Sequence, residues 1–346
     1  MSDTLSQPEA AVTGSVAVHR NRAEWFAFMD KTSADEGYFL TVGDRHWAFF
    51  HDDGPVLLVT FEQIDTVRER ANALTYGHDI ARENGWSHLC LISEGETWYR
   101  DPAVYAYIDR LVDEAFFEDF DKVVFYGAGS AGYAACAFSV AAPGATVLAI
   151  SPRATLSPAV TGWDKRHLSK RKLDFTSRYG YGPDMTEGAA RVHIIHDPKN
   201  PPDAMHAALF RAPWVRSYGT PFLGEGIEAS MILLSLLPAL IKAAADETLD
   251  AGRFAKLWRS RRSFGPYLRA VLRENESRPR RALGVCRSVV ARLGAPRFRR
   301  RMLDLEAMLG LAPVPAQGGA APAALPAEGG VAAGPATGAA GHTTGL

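Results

Sequence analysis

The stretch Tyr126-Gly127-Ala128-Gly129-Ser130-Ala131-Gly132-Tyr133 constrains what this chain can fold into more than any other segment. The run Lys122-Val123-Val124-Phe125-Tyr126 leads straight into small residues, and Tyr133-Ala134-Ala135-Cys136-Ala137-Phe138 then reads as a helix. Only small side chains fit where a chain turns sharply from strand to helix, because larger ones would collide across the turn. The segment therefore has the frame of a G-x-S-x-G nucleophile elbow, with Gly127 directly after the strand. In that register the nucleophile falls at Gly129, which has no side chain with which to attack. Ser130 comes one residue later, although Ala128 and Gly132 give it the small neighbours of an A-x-S-x-G variant.

The pattern around the elbow is one of alternation. Gly37 to Leu40 and His46 to His51 read as a hairpin turning at Gly43-Asp44. Continuous apolar runs, suited to strands covered on both faces, follow at 55–61, 87–92, 123–126, 146–150, 192–195 and 214–218. Between them lie helical patterns over 64–84, 102–118, 131–142 and 202–211. This order predicts an α/β fold, a doubly wound and mostly parallel sheet with helices on both faces. From Ile227 onward only helices are expected, over 229–245, 251–262, 265–274, 279–293 and 296–309. The domain layout is thus a loose start over 1–15, an α/β domain over 16–245, a basic helical module over 246–312, and a disordered Ala/Gly/Pro tail over 313–346.

Charge is unevenly placed. Between Arg253 and Arg301 there are 16 Lys and Arg against Glu274 and Glu276, about +14, in a chain of net charge −1. Solvated helix faces that dock on acidic surfaces of the same chain or of a like subunit account for this, with nucleic acid an unlikely partner. Cys90, Cys136 and Cys286 are widely spaced in apolar stretches, so reduced core residues are expected rather than metal ligands or a disulfide framework. The first residues lack a basic and then apolar leader, and Met231 to Ile241 is too short to span a bilayer. A cytoplasmic protein without membrane contact is the expectation.

In a chain of this pattern the acid and histidine of a catalytic triad follow the elbow on later strand ends. Asp197, after the run ending at His196, stands where the acid belongs. The loop after the next strand, Gly219-Thr220-Pro221-Phe222-Leu223-Gly224-Glu225-Gly226, holds no histidine, and Glu225 occupies that place. Beyond His206 the sequence offers only His342, in the tail. His206 sits in an apolar helix and reads more simply as a hydrogen-bonded structural residue than as a base. His167 falls in a charged insert suited to a lid, and His46 and His51 in the hairpin, far from the strand C-terminal ends. Asp101, followed by Pro102, is expected to cap the next helix. The spacing Gly127-x-Gly129-x-x-Gly132 also matches a dinucleotide fingerprint, but it follows several strands and lacks the acid some 20 residues on, so no cofactor is expected.

Taken together, Phe125-Tyr126-Gly127-Ala128-Gly129-Ser130-Ala131-Gly132-Tyr133, Ile150-Ser151-Pro152, Asp197 and Asp203-Ala204-Met205-His206-Ala207 resemble the α/β-hydrolase superfamily. The resemblance is to a divergent bacterial group with the elbow F-Y-G-x-S-x-G-G-Y, some members of which carry the label phosphoadenosine phosphosulfate reductase. Such a resemblance implies a hydrolase scaffold with catalytic candidates Ser130, Asp197 and His206. The departures at Gly129 and Glu225 point to a degenerate, non-catalytic binding or scaffolding protein with an unknown small-molecule or protein partner. A divergent serine hydrolase using Ser130 is the alternative. Sulfonucleotide reduction is the remote one, since neither its P-loop-like motif nor its C-terminal cysteine motif is present.

Overall fold

A computed structural model describes residues 21–311. The expected loose start over 1–15, the tail over 313–346 and His342 lie outside the described residues. Eight strands form one sheet in the order β1-β2-β4-β3-β5-β6-β7-β8. They are β1 (Gly37–Val42), β2 (His46–His51), β3 (Val56–Gln63), β4 (Ser87–Ser93), β5 (Lys122–Ala128), β6 (Thr146–Ile150), β7 (Arg191–His196) and β8 (Val215–Gly219). The hairpin β1–β2 joins antiparallel to β4, and β3 to β8 all run parallel. A mostly parallel sheet with β3 and β4 exchanged in order and an elbow after β5 is the α/β-hydrolase fold. The expected fold class is the one observed.

The inner parallel strands, such as β4 and β6, are wholly buried because helices cover both sheet faces, which is why they read as unbroken apolar runs, whereas the edge strand β8 is largely exposed. Side chains alternate across the sheet, so Val123, Phe125 and Val147 enter one core layer while Val124, Tyr126 and Leu148 enter the other. A smaller core cluster lies under α1 (Arg22–Ser33), a helix opened by an Asn21–Glu24 capping box that buries Trp25 and Met29. The helix expected over 64–84 is two, α2 (Ile64–Glu69) and α3 (Tyr76–Asn84). Next come α4 (Pro102–Asp113), capped by the Asp101 carboxylate on the Ala103 N–H at 2.9 Å, and α5 (Ser130–Phe138).

The helix expected over 229–245 is also two, Ile227–Leu233 and Leu237–Ala245, bent by 99°. Ser235 at φ 53° and Pro238, which cannot donate to a preceding turn, explain the break. Among the described residues no single helix is long and apolar enough to cross a membrane.

The described residues divide into two compact units, which part between Glu274 and Asn275. Helices Ala251–Leu257 and Gly265–Glu274 of the expected basic module group with the first unit. In the second, helices Pro279–Leu293 and Pro296–Met308 pack as a pair, with Leu283, Cys286, Val289, Phe298 and Leu305 buried. There Arg287 donates to the buried Glu306 carboxylate at 2.9 Å.

Candidate functional site

Gly129 sits at the apex of the turn between β5 and α5, at φ 59° and ψ −116°, a conformation that L side chains rarely adopt. The turn is held by the Gly129 N–H on the Ile150 carbonyl at 2.9 Å and by the Tyr133 N–H on the Gly129 carbonyl at 3.0 Å. The flanking glycines are there for packing. A Cβ on Gly127 would lie 2.2 Å from the Ala131 carbonyl oxygen, and one on Gly132 would lie 3.1 Å from the Gly127 carbonyl oxygen. A Cβ on Gly129 would meet nothing within 4 Å. Space for a nucleophile is present at the apex, and the nucleophile is not.

The structure does not bring Ser130, Asp197 and His206 together as a relay. Asp197 is buried at the end of β7, where its carboxylate accepts from the Lys199 N–H and the Gly224 N–H, both at 2.7 Å, and so ties the loop after β8 to β7. In that loop Glu225, at the place of the expected histidine, accepts from Arg166 Nη1 at 3.1 Å. Arg166 also donates to Asp164 and Asp203, both at 2.8 Å, and Arg153 reaches Asp203 at 3.1 Å.

His206 belongs to this ionic network. Its Nδ1 accepts from the Ala154 N–H at 3.1 Å, so the proton resides on Nε2, which faces the Asp164 carboxylate at 3.0 Å. Burial, with a smaller contribution from Arg153, lowers its pKa to about 4. Burial alone would raise the Asp164 carboxyl, but the Arg166 hydrogen bonds outweigh it and hold that carboxyl below its usual range. The network fixes the charged insert to the strand ends.

Ser130, half-buried, opens instead into a cavity of about 290 Å³ that Glu62, Arg70, Tyr76, Tyr126 and Glu228 also line. No hydrogen bond joins its hydroxyl to a histidine among the described residues; the described histidines bond to other partners or, like His167, stand against rings such as that of Trp98. Both cavity acids have raised pKa values because their half-buried carboxyl groups are shielded from solvent. Glu62 accepts from the Tyr76 and Gly77 N–H groups at 2.9 and 3.0 Å, and Glu228 from the Tyr126 hydroxyl at 2.5 Å. A second hollow of about 190 Å³ adjoins Gly129 and is lined by Ser151, Arg153, Asp203, Glu225 and Glu228. Both lie at the C-terminal edge of the parallel strands, where open α/β sheets bind ligands. Hollows of about 440 and 820 Å³ open at the opposite edge, against Lys122 and Thr146 in one case and Gly37 and Asp52 in the other.

One expectation is corrected. His46 lies opposite Ser93, the last residue of β4, because β2 runs antiparallel, so the hairpin brings it to the functional edge, where Nε2 meets Thr97 Oγ1 at 2.7 Å. His51 does lie at the other end, opposite His88. Glu62, Arg153, Arg166 and Glu228 were not foreseen, and Asp203 was named only as part of the Asp203–Ala207 motif, not as a partner of the arginines. Of the four, Glu62 carried a signal, as a carboxylate at the end of an apolar strand.

No family model matches the chain, and no curated protein matches it in sequence. Solved structures similar to it include the capsule O-acetyltransferase of Neisseria meningitidis serogroup A, 12% identical over 59% of this chain and 94% of that one with a TM-score of 0.40. An esterase of Pyrobaculum calidifontis is 14% identical over 68% and 95%, with a TM-score of 0.41. The esterase domain of a Rhodothermus marinus protein is 17% identical over 63% and 94%, with a TM-score of 0.35.

Proposed function

We propose that this chain is a degenerate hydrolase-fold protein that binds a small polar ligand at the sheet's C-terminal edge and performs no serine-nucleophile chemistry. The observation that carries the reading is the apex glycine: Gly129 holds the strained backbone of the elbow with open space in place of a side chain. Acyl transfer by this route needs a nucleophile, a base within hydrogen-bond reach of it and a group that orients the base. Here the base position carries Glu225 bonded to Arg166, and His206 has both ring nitrogens engaged elsewhere. The cavity beside the elbow suits binding, since three tyrosines, Tyr76, Tyr99 and Tyr126, supply apolar wall and two acids and Arg70 supply polar anchors.

A divergent serine hydrolase is the second reading, favoured by the position of Ser130 on the wall of that cavity. Phosphoadenosine phosphosulfate reduction, which the family label would imply, needs an accessible thiolate, and Cys90, Cys136 and Cys286 are all buried. Hydrolysis of a short-chain p-nitrophenyl ester tests the first reading against the second. Wild type and Ser130→Ala are expected to match the uncatalysed rate. Turnover lost on Ser130→Ala establishes the hydrolase instead.

A further inference from the structure

We propose that Glu62, His88 and Cys90 form a zinc site in the wall of the 290 Å³ cavity. In the parallel pair of β3 and β4, Leu58 lies opposite His88 and Thr60 opposite Cys90. The period of two puts His88 and Cys90 of β4 on the same sheet face as Thr60 and Glu62 of β3. A ring nitrogen of His88, the Cys90 Sγ and a Glu62 carboxylate oxygen lie within 4.8 Å of one another.

The first turn of α3 closes over them. Its Tyr76 and Gly77 N–H groups hold the Glu62 carboxylate, and a Cβ on Gly77 would stand 2.3 Å from His88 Nε2, so only glycine allows the helix this close. His88 and Cys90 are fully buried. The two nitrogens of the imidazole are unequally served. Nε2 is 2.8 Å from Thr60 Oγ1, whereas Nδ1 is buried without a hydrogen-bond partner.

Thiolate, imidazole and carboxylate together are the mixed, borderline donor set that zinc takes, at about 2.0–2.3 Å. The side chains must close by roughly 1 Å to meet around one ion at those bond lengths. On binding, Cys90 releases its thiol proton to solvent, Glu62 releases any proton it holds, and the dication balances thiolate and carboxylate. Three protein ligands leave a fourth position. Thr60 and Glu62 line the cavity, so a water or small ligand there reaches that position. The inference goes beyond the proposed binding role and does not depend on it.

The experiment uses the full chain, stripped with a chelator and titrated with Co²⁺ and then Zn²⁺. One Co²⁺ per chain is expected, with a sulfur-to-cobalt charge-transfer band that Zn²⁺ abolishes. Cys90→Ser is expected to lose the band, while Cys136→Ser and Cys286→Ser keep it. Glu62→Gln and His88→Gln are expected to weaken Zn²⁺ binding at least about tenfold. No charge-transfer band in the wild type overturns the proposal, as does a band that survives Cys90→Ser. Should that variant not fold, an unchanged Zn²⁺ affinity in Glu62→Gln overturns it equally.

Discussion

Gly129→Ser restores the side chain that the elbow lacks, and its cost can be worked out from the turn. Nothing lies within 4 Å of the new Cβ, so there is no clash to relieve. What remains is the backbone conformation, φ 59° and ψ −116°, which a residue with a Cβ holds at about 1–3 kcal/mol of strain. Against this, replacing glycine lowers the entropy of the unfolded chain and returns about 0.4–1 kcal/mol. The net is a destabilisation of at most about 2.6 kcal/mol, a fall in melting temperature of no more than about 10 °C for a unit of this size. Gly127→Ala is the contrast, because its Cβ would sit 2.2 Å from the Ala131 carbonyl oxygen and backbone cannot yield there; more than about 3 kcal/mol is expected. Thermal melts of both variants beside the wild type give the comparison. Ester hydrolysis by Gly129→Ser is expected to stay at background, since Glu225, bonded to Arg166, stands where the base belongs. A Gly129→Ser chain that does not fold, or one that loses more stability than Gly127→Ala, refutes the steric reasoning.

Asp203→Asn removes the buried carboxylate shared by Arg153 and Arg166, and about 3 kcal/mol of stability should go with it, read as a shift of the urea midpoint. For pH, the His206 pKa of about 4 lies below the unfolded value near 6.5, so the unfolded chain alone takes up a proton between them and stability falls as pH drops through that window. His206→Gln should remove one proton from that slope, up to about 1.36 kcal/mol per pH unit, and denaturation at pH 7 and 5 measures it; an unchanged slope contradicts the neutral assignment. We further propose that the arginine-rich helices Pro279–Leu293 and Pro296–Met308 engage acidic protein surfaces, including those of a second copy, so duplex DNA should bind weakly and lose affinity steeply with salt. Tight binding of one DNA sequence at physiological salt would disprove this.

Much of the fold was legible because its cause is local. Runs such as Thr146-Val147-Leu148-Ala149-Ile150 are buried on both faces and show it in every residue. Helix Pro279–Leu293 was foreseen over its full length from Pro279 at its start and Gly294, at φ 61°, after its end. Helix α1 escaped because its apolar residues, Trp25 and Met29 among them, make no clear stripe. The kink near Ser235 and Pro238 was visible as residues but not as a 99° bend, since neighbouring packing sets the angle.

In the site, spacing alone put Gly129 at the apex and Glu225 in the histidine loop. The partners of those residues were not legible. Arg166 meets Asp203 and Glu225 across 37 and 59 residues, and such pairs exist only once the strand ends converge. His46 was misjudged for a related reason: an antiparallel strand carries its first residue to the end where its parallel neighbour finishes.

The central claim is that the elbow carries no activated serine, and a fluorophosphonate probe tests it most directly, because only an activated serine forms the covalent adduct. Intact-mass spectra of the full chain after incubation are expected to show no added mass in wild type, Ser130→Ala or Gly129→Ser. An adduct on the wild type that disappears in Ser130→Ala would contradict the account.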